Sequence, residues 1–232
     1  MAVELNPNIN PEIYQKIYNK LNSFLVIGAF DGVNYDTFVV DVNKKEDNSN
    51  TKIVFVEPIP EYFEKLKENL AQFNVPVENI GLENCCVGDT NCEVDMVYFN
   101  PKSEGNRPWY IDGCSCVVED GKILNMHIRE EIPTEDLLFI KSPAVTVHEV
   151  LQKNNLESID YIQIDTEGYD ERIVKSMDFA ALGVKYLKFE LYYCDTDWVE
   201  KIIAEADSMG YYYHRDWDLH LIRKDLVDEL SQ

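Results

Sequence analysis

Apolar positions along the chain fall into two patterns, short continuous runs and stripes at helical spacing. Phe24-Leu25-Val26-Ile27, Ile53-Val54-Phe55-Val56 and Tyr161-Ile162-Gln163-Ile164 are runs of the first kind, the mark of strands buried on both faces of a parallel sheet. Ile80 to Val87 and Val184 to Leu191 read as two more. Among the stripes, Ile13, Ile17 and Leu21 follow Asn10-Pro11-Glu12. That cap residue, first-turn proline and acid open a helix within residues 1–22. Helices are also predicted near Asp36 to Val42 and from Pro60 through Phe63, Leu66, Leu70 and Phe73. Three more follow, near Val147 to Asn154, over Asp170 to Met177, and over Thr196 to Met209, where Gly210 ends the helix. Tyr211 to His214 and Leu219 to Arg223 are strands too close in sequence for a crossover helix, so they pair antiparallel.

This alternation predicts the α/β class, with a mostly parallel, doubly wound sheet, right-handed crossovers and an antiparallel C-terminal strand. The rhythm lapses over residues 89–145, read as a variable insertion beside the site. With no internal repeat and no linker rich in Pro, Gly or Ser, residues 1–232 are expected to form one domain.

Composition narrows the partners. The chain of 232 residues carries 43 acidic against 21 basic side chains, a net charge of −22. Nucleic acid and anionic membranes would approach against that field, so neither is expected as a partner. No apolar run is long enough to span a bilayer, and the start of the chain lacks the basic-then-apolar pattern of a leader, so a soluble, cytoplasmic protein is expected. Cys85, Cys86, Cys92, Cys114, Cys116 and Cys194 show none of the spacings of a zinc knuckle. Reduced thiols and no metal are expected.

Three constellations carry chemistry. Gly28-Ala29-Phe30-Asp31-Gly32 stands where the first strand turns into a helix. Glycines there let the chain turn sharply and let a ligand lie against bare backbone. The four-residue spacing differs from the G-x-G-x-x-G of NAD proteins, so no pyrophosphate cradle is implied, and plain turn glycines are the alternative. Glu57 ends the next strand before Pro58, where a carboxylate accepts bonds from both ribose hydroxyls of a nucleoside; the alternative is a surface acid before a helix-opening proline. Asp165-Thr166-Glu167-Gly168-Tyr169-Asp170 places three acids at the end of a buried strand. They suit holding an ammonium or taking a proton from a hydroxyl, against the alternative of a solvated acidic turn.

In that order these segments resemble the FkbM-type methyltransferase family. The matching stretches are Ile27 to Gly32, then Phe55-Val56-Glu57-Pro58 with the Phe63, Leu66 and Asn69 helix, Asn84 to Asp89, Val145 to Leu151, and Ile159 to Asp170. Together they cover roughly residues 24 to 192, with the middle region matching loosely. The resemblance implies a Rossmann-like class I fold that binds S-adenosylmethionine. Gly28, Ala29, Phe30, Asp31 and Gly32 would lie under the methionine part, and Glu57 with Pro58 would hold the ribose. Cys86 and Val87 would border the adenine, and Asp165 would sit by the transferred methyl. It further implies O-methylation of a sugar or another small-molecule hydroxyl. Many family members carry an acid two residues before the first glycine, where this chain has Val26. A non-catalytic binding or regulatory module is the reading that Val26 favours.

Methyl transfer to an alcohol needs a positioned base. Asp165 and Glu167 are the first candidates and His127 the third, its alternative being a half-buried polar residue on a loop. Arg107, Trp109 and Tyr110 are candidates to line the acceptor pocket or, equally, to form a plain surface loop.

Overall fold

The computed structural model describes residues 9, 11–34, 37–103, 111 and 113–231. In chain order the main elements begin with α1 (Pro11–Asn19), β1 (Ser23–Ile27), α2 (Phe38–Asn43), β2 (Lys52–Val56), α3 (Pro60–Asn69) and β3 (Ile80–Glu83). The middle holds β4 (Cys86–Val87), β5 (Cys92–Phe99), β6 (Ser115–Glu119), β7 (Lys122–Ile123), α4 (Met126–Glu131) and β8 (Leu137–Val145). Then follow α5 (Val147–Lys153), β9 (Tyr161–Ile164), α6 (Asp170–Lys175), β10 (Tyr186–Glu190), α7 (Thr196–Ser208), β11 (Tyr211–Arg215), β12 (Asp218–Arg223) and α8 (Lys224–Leu230).

The apolar runs form the sheet they predict. β1 is central, pairing in parallel with β2 on one side and β9 on the other, and the seven strands run β11-β12-β10-β9-β1-β2-β3. Successive connections step outward in opposite directions from β1, so the switch point lies between β1 and β9, where open α/β sheets bind ligands beyond their strands' carboxyl ends. Helices cover both faces. Leu25, Ile27, Ile162 and Ile164 pack with residues of α5, α6 and α7, while Phe24, Val26, Phe55 and Tyr161 pack with α1, α2, α3 and α8.

As expected, the last strand, β12, is reversed: it runs antiparallel to both neighbours, between β10 and β11, with α8 following it. Two expectations need correction. The strand expected over Ile80 to Val87 is two strands: β3 joins the main sheet, while β4 pairs with β8 in a second sheet. The helix opened by Pro60 ends at Asn69, and a tighter turn over Leu70–Gln72 carries the chain to buried Phe73.

The stretch without β-α rhythm holds that second sheet, ordered β4-β8-β5-β6-β7. β5 runs antiparallel to β8 and β6, and Val97, Phe99, Cys114, Cys116 and Ile128 form its own small core beneath α4. Among the described residues, no helix is long and apolar enough to cross a membrane. Of the cysteines, Cys85, Cys86, Cys114 and Cys116 are buried, Cys194 is half-buried, and Cys92 is exposed; none forms a disulfide.

Candidate active site

A cavity of about 830 Å³ opens at the carboxyl ends of β1, β2, β9 and β10, with the second sheet forming part of its wall. Its volume suits a ligand of nucleoside size or larger. Gly28, Ala29, Phe30, Glu57, Pro58, Cys86, Val87, Asp165, Glu167 and His127 all line it, so residues far apart in sequence converge on one site. Asp31 and Gly32, expected among the cofactor contacts, do not line it. Asp31 is buried with its carboxylate accepting from the backbone of Val33 and Asn34, which shapes the turn. Gly32 faces α3, where an added Cβ would stand 2.5 Å from Leu66 Cδ1. Arg107, Trp109 and Tyr110 fall outside the described residues.

The glycine turn is tied to its neighbours through backbone. Gly28 and Ala29 N–H both donate to Val56 O, at 3.0 and 3.1 Å, and Asp165 N–H donates to Ile27 O at 3.0 Å. Glu57, 2% exposed, accepts from Phe30 N–H on one carboxylate oxygen and from Ile59 N–H on the other, both at 2.8 Å. It therefore braces the turn and the entry to α3 at once. Val26 is 3% exposed and faces the core shared with α1 and α2. An acid there would lose its hydration among aromatic side chains.

The acidic turn after β9 divides its carboxylates by role. Asp170 is buried and accepts from Thr166 Oγ1 at 2.8 Å, closing the loop on itself. Glu167, held at φ 57°, accepts from Asn125 Nδ2 at 2.6 Å and from Cys114 Sγ at 3.4 Å. Those partners belong to the second sheet and to the cap of α4, so the insertion is anchored on this acid. Asp165 keeps accessible surface and lines the cavity. His127 sits on α4 with Nδ1 2.5 Å from Glu131 Oε1 and its ring 5.4 Å from Tyr192.

Glu190 closes β10 much as Glu57 follows β2. The same signal, an acid closing an apolar strand, marks both. Glu190 lines the cavity, and its Oε2 is buried without a hydrogen-bond partner among the described residues. Lys188 and Asp218, 3.2 Å apart, line the wall beside it, and Trp217 (78% exposed) and Tyr192 (43% exposed) stand among its aromatic lining.

Crowding of acids shapes their protonation. Burial pushes Glu57 up to about 8, against the two backbone N–H bonds that lower it. Burial, then the charges of Asp165, Glu167, Asp170 and Asp218, push Glu190 up to about 10. Asp165 lies well above the usual Asp range through desolvation and its acidic neighbours, with Lys188 opposing. In each case the folded protein holds its proton to higher pH than the unfolded chain does. The corresponding stability is fully present below the ordinary carboxyl range and is lost as pH rises through the raised values. Through Glu57 and Glu190, the ligand-free protein should therefore lose on the order of a few kcal/mol between about pH 5 and pH 9, Asp165 adding less because it keeps solvent contact. Thermal melts across that range check this; a flat or rising Tm would contradict it.

Asn125 is fully buried, and besides holding Glu167 its Oδ1 accepts from Ile128 N–H at 2.9 Å as the cap of α4. Asn125→Ala removes a cap and strips half-buried Glu167 of its closer donor, for an expected loss of about 2–3 kcal/mol. Urea unfolding should show this as a lower midpoint at constant slope.

With this geometry in place, the relatives can be compared. The family described as Methyltransferase FkbM domain matches residues 27–221, and the chain belongs to it. Among solved structures it is similar to the methyltransferase FkbM from Methylobacillus flagellatus KT, with TM-score 0.51 and 14% identity over 91% of this chain and 50% of that one. The chain thus spans about half the length of that relative. An O-methyltransferase from Bacillus cereus in complex with SAH is similar at TM-score 0.45 and 7% identity, over 94% of this chain and 84% of that one. A precorrin-6y C5,15-methyltransferase from Geobacter metallireducens GS-15 gives TM-score 0.39 and 12% identity, over 95% and 92% of the two chains. No curated protein sequence matches the chain. The strand order and the FkbM likeness define the Rossmann-like class I methyltransferase fold.

Proposed function

We propose that the chain is an S-adenosylmethionine-dependent O-methyltransferase acting on an uncharged hydroxyl of a sugar or another small natural product. One observation carries this reading: a single cavity at the switch point gathers the glycine turn, Glu57 and Asp165. Family membership supports it.

The residues present suit that cofactor by their chemistry. The N–H groups of Gly28, Ala29, Phe30 and Gly32 are all taken by protein acceptors, so these four offer nothing to a pyrophosphate. Glu57, Asp165, Glu167, Glu190 and Asp218 surround the cavity against one lysine among the described lining residues. Crowding holds protons on Glu57 and Glu190 at neutral pH, and a ligand bearing sulfonium and ammonium charges favours their ionised forms where phosphates and carboxylates do not. Glu57 has one lone pair left on each oxygen after its two backbone bonds, enough for a ribose hydroxyl. Val87, Met96, Cys86 and Pro58 offer an apolar wall for a base.

When bound, the cofactor supplies an electrophilic methyl group. Gly28 to Phe30 would hold its methionine part and Glu57 its ribose, while Asp165 holds or takes the acceptor's proton. Asn125 and Cys114 keep Glu167 pointing at the cavity floor, making it a positioning acid more than a base. A nucleic-acid acceptor is disfavoured by the net charge of −22.

Calorimetric titration with S-adenosylmethionine and S-adenosylhomocysteine, beside NAD, tests the reading. Glu57→Ala is expected to weaken cofactor binding about 10- to 100-fold, through a bond worth about 1.5–3 kcal/mol. Melting of the variant separates this from a displaced turn. Unchanged affinity would remove Glu57 from the ribose, and preference for NAD would overturn the whole reading.

A further inference from the structure

The β11–β12 hairpin has a feature that methyl transfer does not use. Its turn, Asp216-Trp217-Asp218, reaches the cavity through Trp217 and Asp218. Behind that turn His214 and His220 face each other across the two strands, 7% and 8% exposed. Both direct Nε2 at one carboxylate: His214 is 3.6 Å from Asp216 Oδ2, and His220 is 3.3 Å from Asp216 Oδ1. One ligand atom from each of the three residues lies within 4.8 Å of the other two. A tetrahedral zinc site with bonds of about 2.0–2.1 Å spaces its ligand atoms about 3.3 Å apart, so small side-chain shifts bring these three into place and leave the fourth position to water.

The surroundings are those of a ligating cluster. His220 Nδ1 lies 2.7 Å from the Tyr186 hydroxyl, the outer hydrogen bond that fixes the tautomer of a metal-bound imidazole. Tyr14 of α1 packs edge-on against both imidazoles, with centroids 5.9 Å away in each case. Among the described residues, the buried Tyr14 hydroxyl and His214 Nδ1 have no hydrogen-bond partner, and an ion on Nε2 would fix the His214 proton on Nδ1. Two imidazoles and one carboxylate suit a borderline ion such as zinc, whereas magnesium and calcium favour all-oxygen sets. Cysteine spacing gave no hint of this site because it uses none; its sequence mark is His-x-Asp-x-x-x-His across a hairpin.

We propose that His214, Asp216 and His220 bind one zinc ion, which clamps the hairpin that carries Trp217 and Asp218 to the cavity. None of the three lines the cavity, so the ion is structural, and the proposal stands independently of the methyltransferase reading.

The test uses the full chain stripped of metal with a chelator, with zinc chloride as the probe. One equivalent should bind, and Tm should rise by about 5–10 °C at a hundredfold excess over Kd. Asp216→Asn and His220→Gln should each lower zinc affinity at least tenfold and abolish most of that rise. Asp165→Asn and Glu190→Gln, which alter only the cavity, should retain it. Cobalt added to the stripped wild-type chain should give the visible absorption of a tetrahedral site, a readout that requires no variant to fold. Uptake well below one equivalent would overturn the proposal, and so would binding that survives in the hairpin variants but fails in the cavity variants.

Discussion

Asp165→Asn should slow methyl transfer by about 100- to 10,000-fold, the usual contribution of a general base. The argument rests on how the three acids of this turn are used. Asp170 is spent on Thr166, and Glu167 is held by Asn125 and Cys114. Asp165 lines the cavity beside Gly28, at the end of the strand that pairs with β1. An ordinary carboxylate is a weak base toward an alcohol, but desolvation and the charges of Glu167, Asp170 and Asp218 raise its affinity for a proton. Turnover should therefore rise with pH as Asp165 ionises, and that limb should vanish in the variant. The measurement is release of S-adenosylhomocysteine in single turnover over a panel of sugar and polyketide alcohols, with cofactor affinity read separately. A base leaves affinity within a few-fold; a residue that holds the cofactor's ammonium lowers it. If Asp165→Asn keeps its rate with every active acceptor, the base lies elsewhere, with His127 the next residue on the lining.

The main sheet was legible because its strands are buried on both faces. A run such as Leu25-Val26-Ile27 has one physical reading once glycine follows it, and three such runs fix the β2-β1-β9 centre of the fold. The second sheet was harder. Its strands are half-exposed, β5 beginning with four residues that are not buried, and Phe139 on β8 is 56% exposed. No continuous apolar run announces it. One local signal was available: Asp120-Gly121 between Glu119 and Lys122, with φ values of 49° and 73°, is a two-residue hairpin turn. The break between β3 and β4 had no such signal, since Cys85 and Cys86 are equally apolar and are buried in different clusters.

At the site, strand ends were readable and loop contributions were not. Glu57 and Asp165 follow apolar runs directly, which sets them at the carboxyl edge of the sheet before any contact is known. Asp31 and Gly32 sit in the same short motif, yet the turn points them at Asn34 and Leu66, a choice made by backbone angles that spacing does not encode. Asn125 and Cys114 reach Glu167 from 42 and 53 residues away. Long-range hydrogen bonds of this kind leave no periodic trace in a single sequence.

Gly28→Ala should destabilise the protein by more than about 3 kcal/mol, and two separate costs make it so. Gly28 sits at φ +78°, where a Cβ strains the backbone by roughly 1–2 kcal/mol. An ideal Cβ there would stand 1.7 Å from the Asp165 carbonyl oxygen and 2.7 Å from its carbon. Both are backbone atoms, so no side chain can swing aside. Relief would require parting β1 from β9, which breaks the bond from Asp165 N–H to Ile27 O and moves the proposed base. For a chain of this size, 3 kcal/mol lowers Tm by about 6–12 °C. Gly121→Ala is the matching control, since Gly121 also has a positive φ, +73°, but a Cβ there would meet nothing within 4 Å. It should lose only the conformational share, so the difference between the two variants measures the close approach itself. Cofactor binding should fail in the Gly28 variant even below its Tm, because the turn and Asp165 move together. Equal losses in both variants would show that β1 and β9 part easily at their ends, and that the site is not built on their contact.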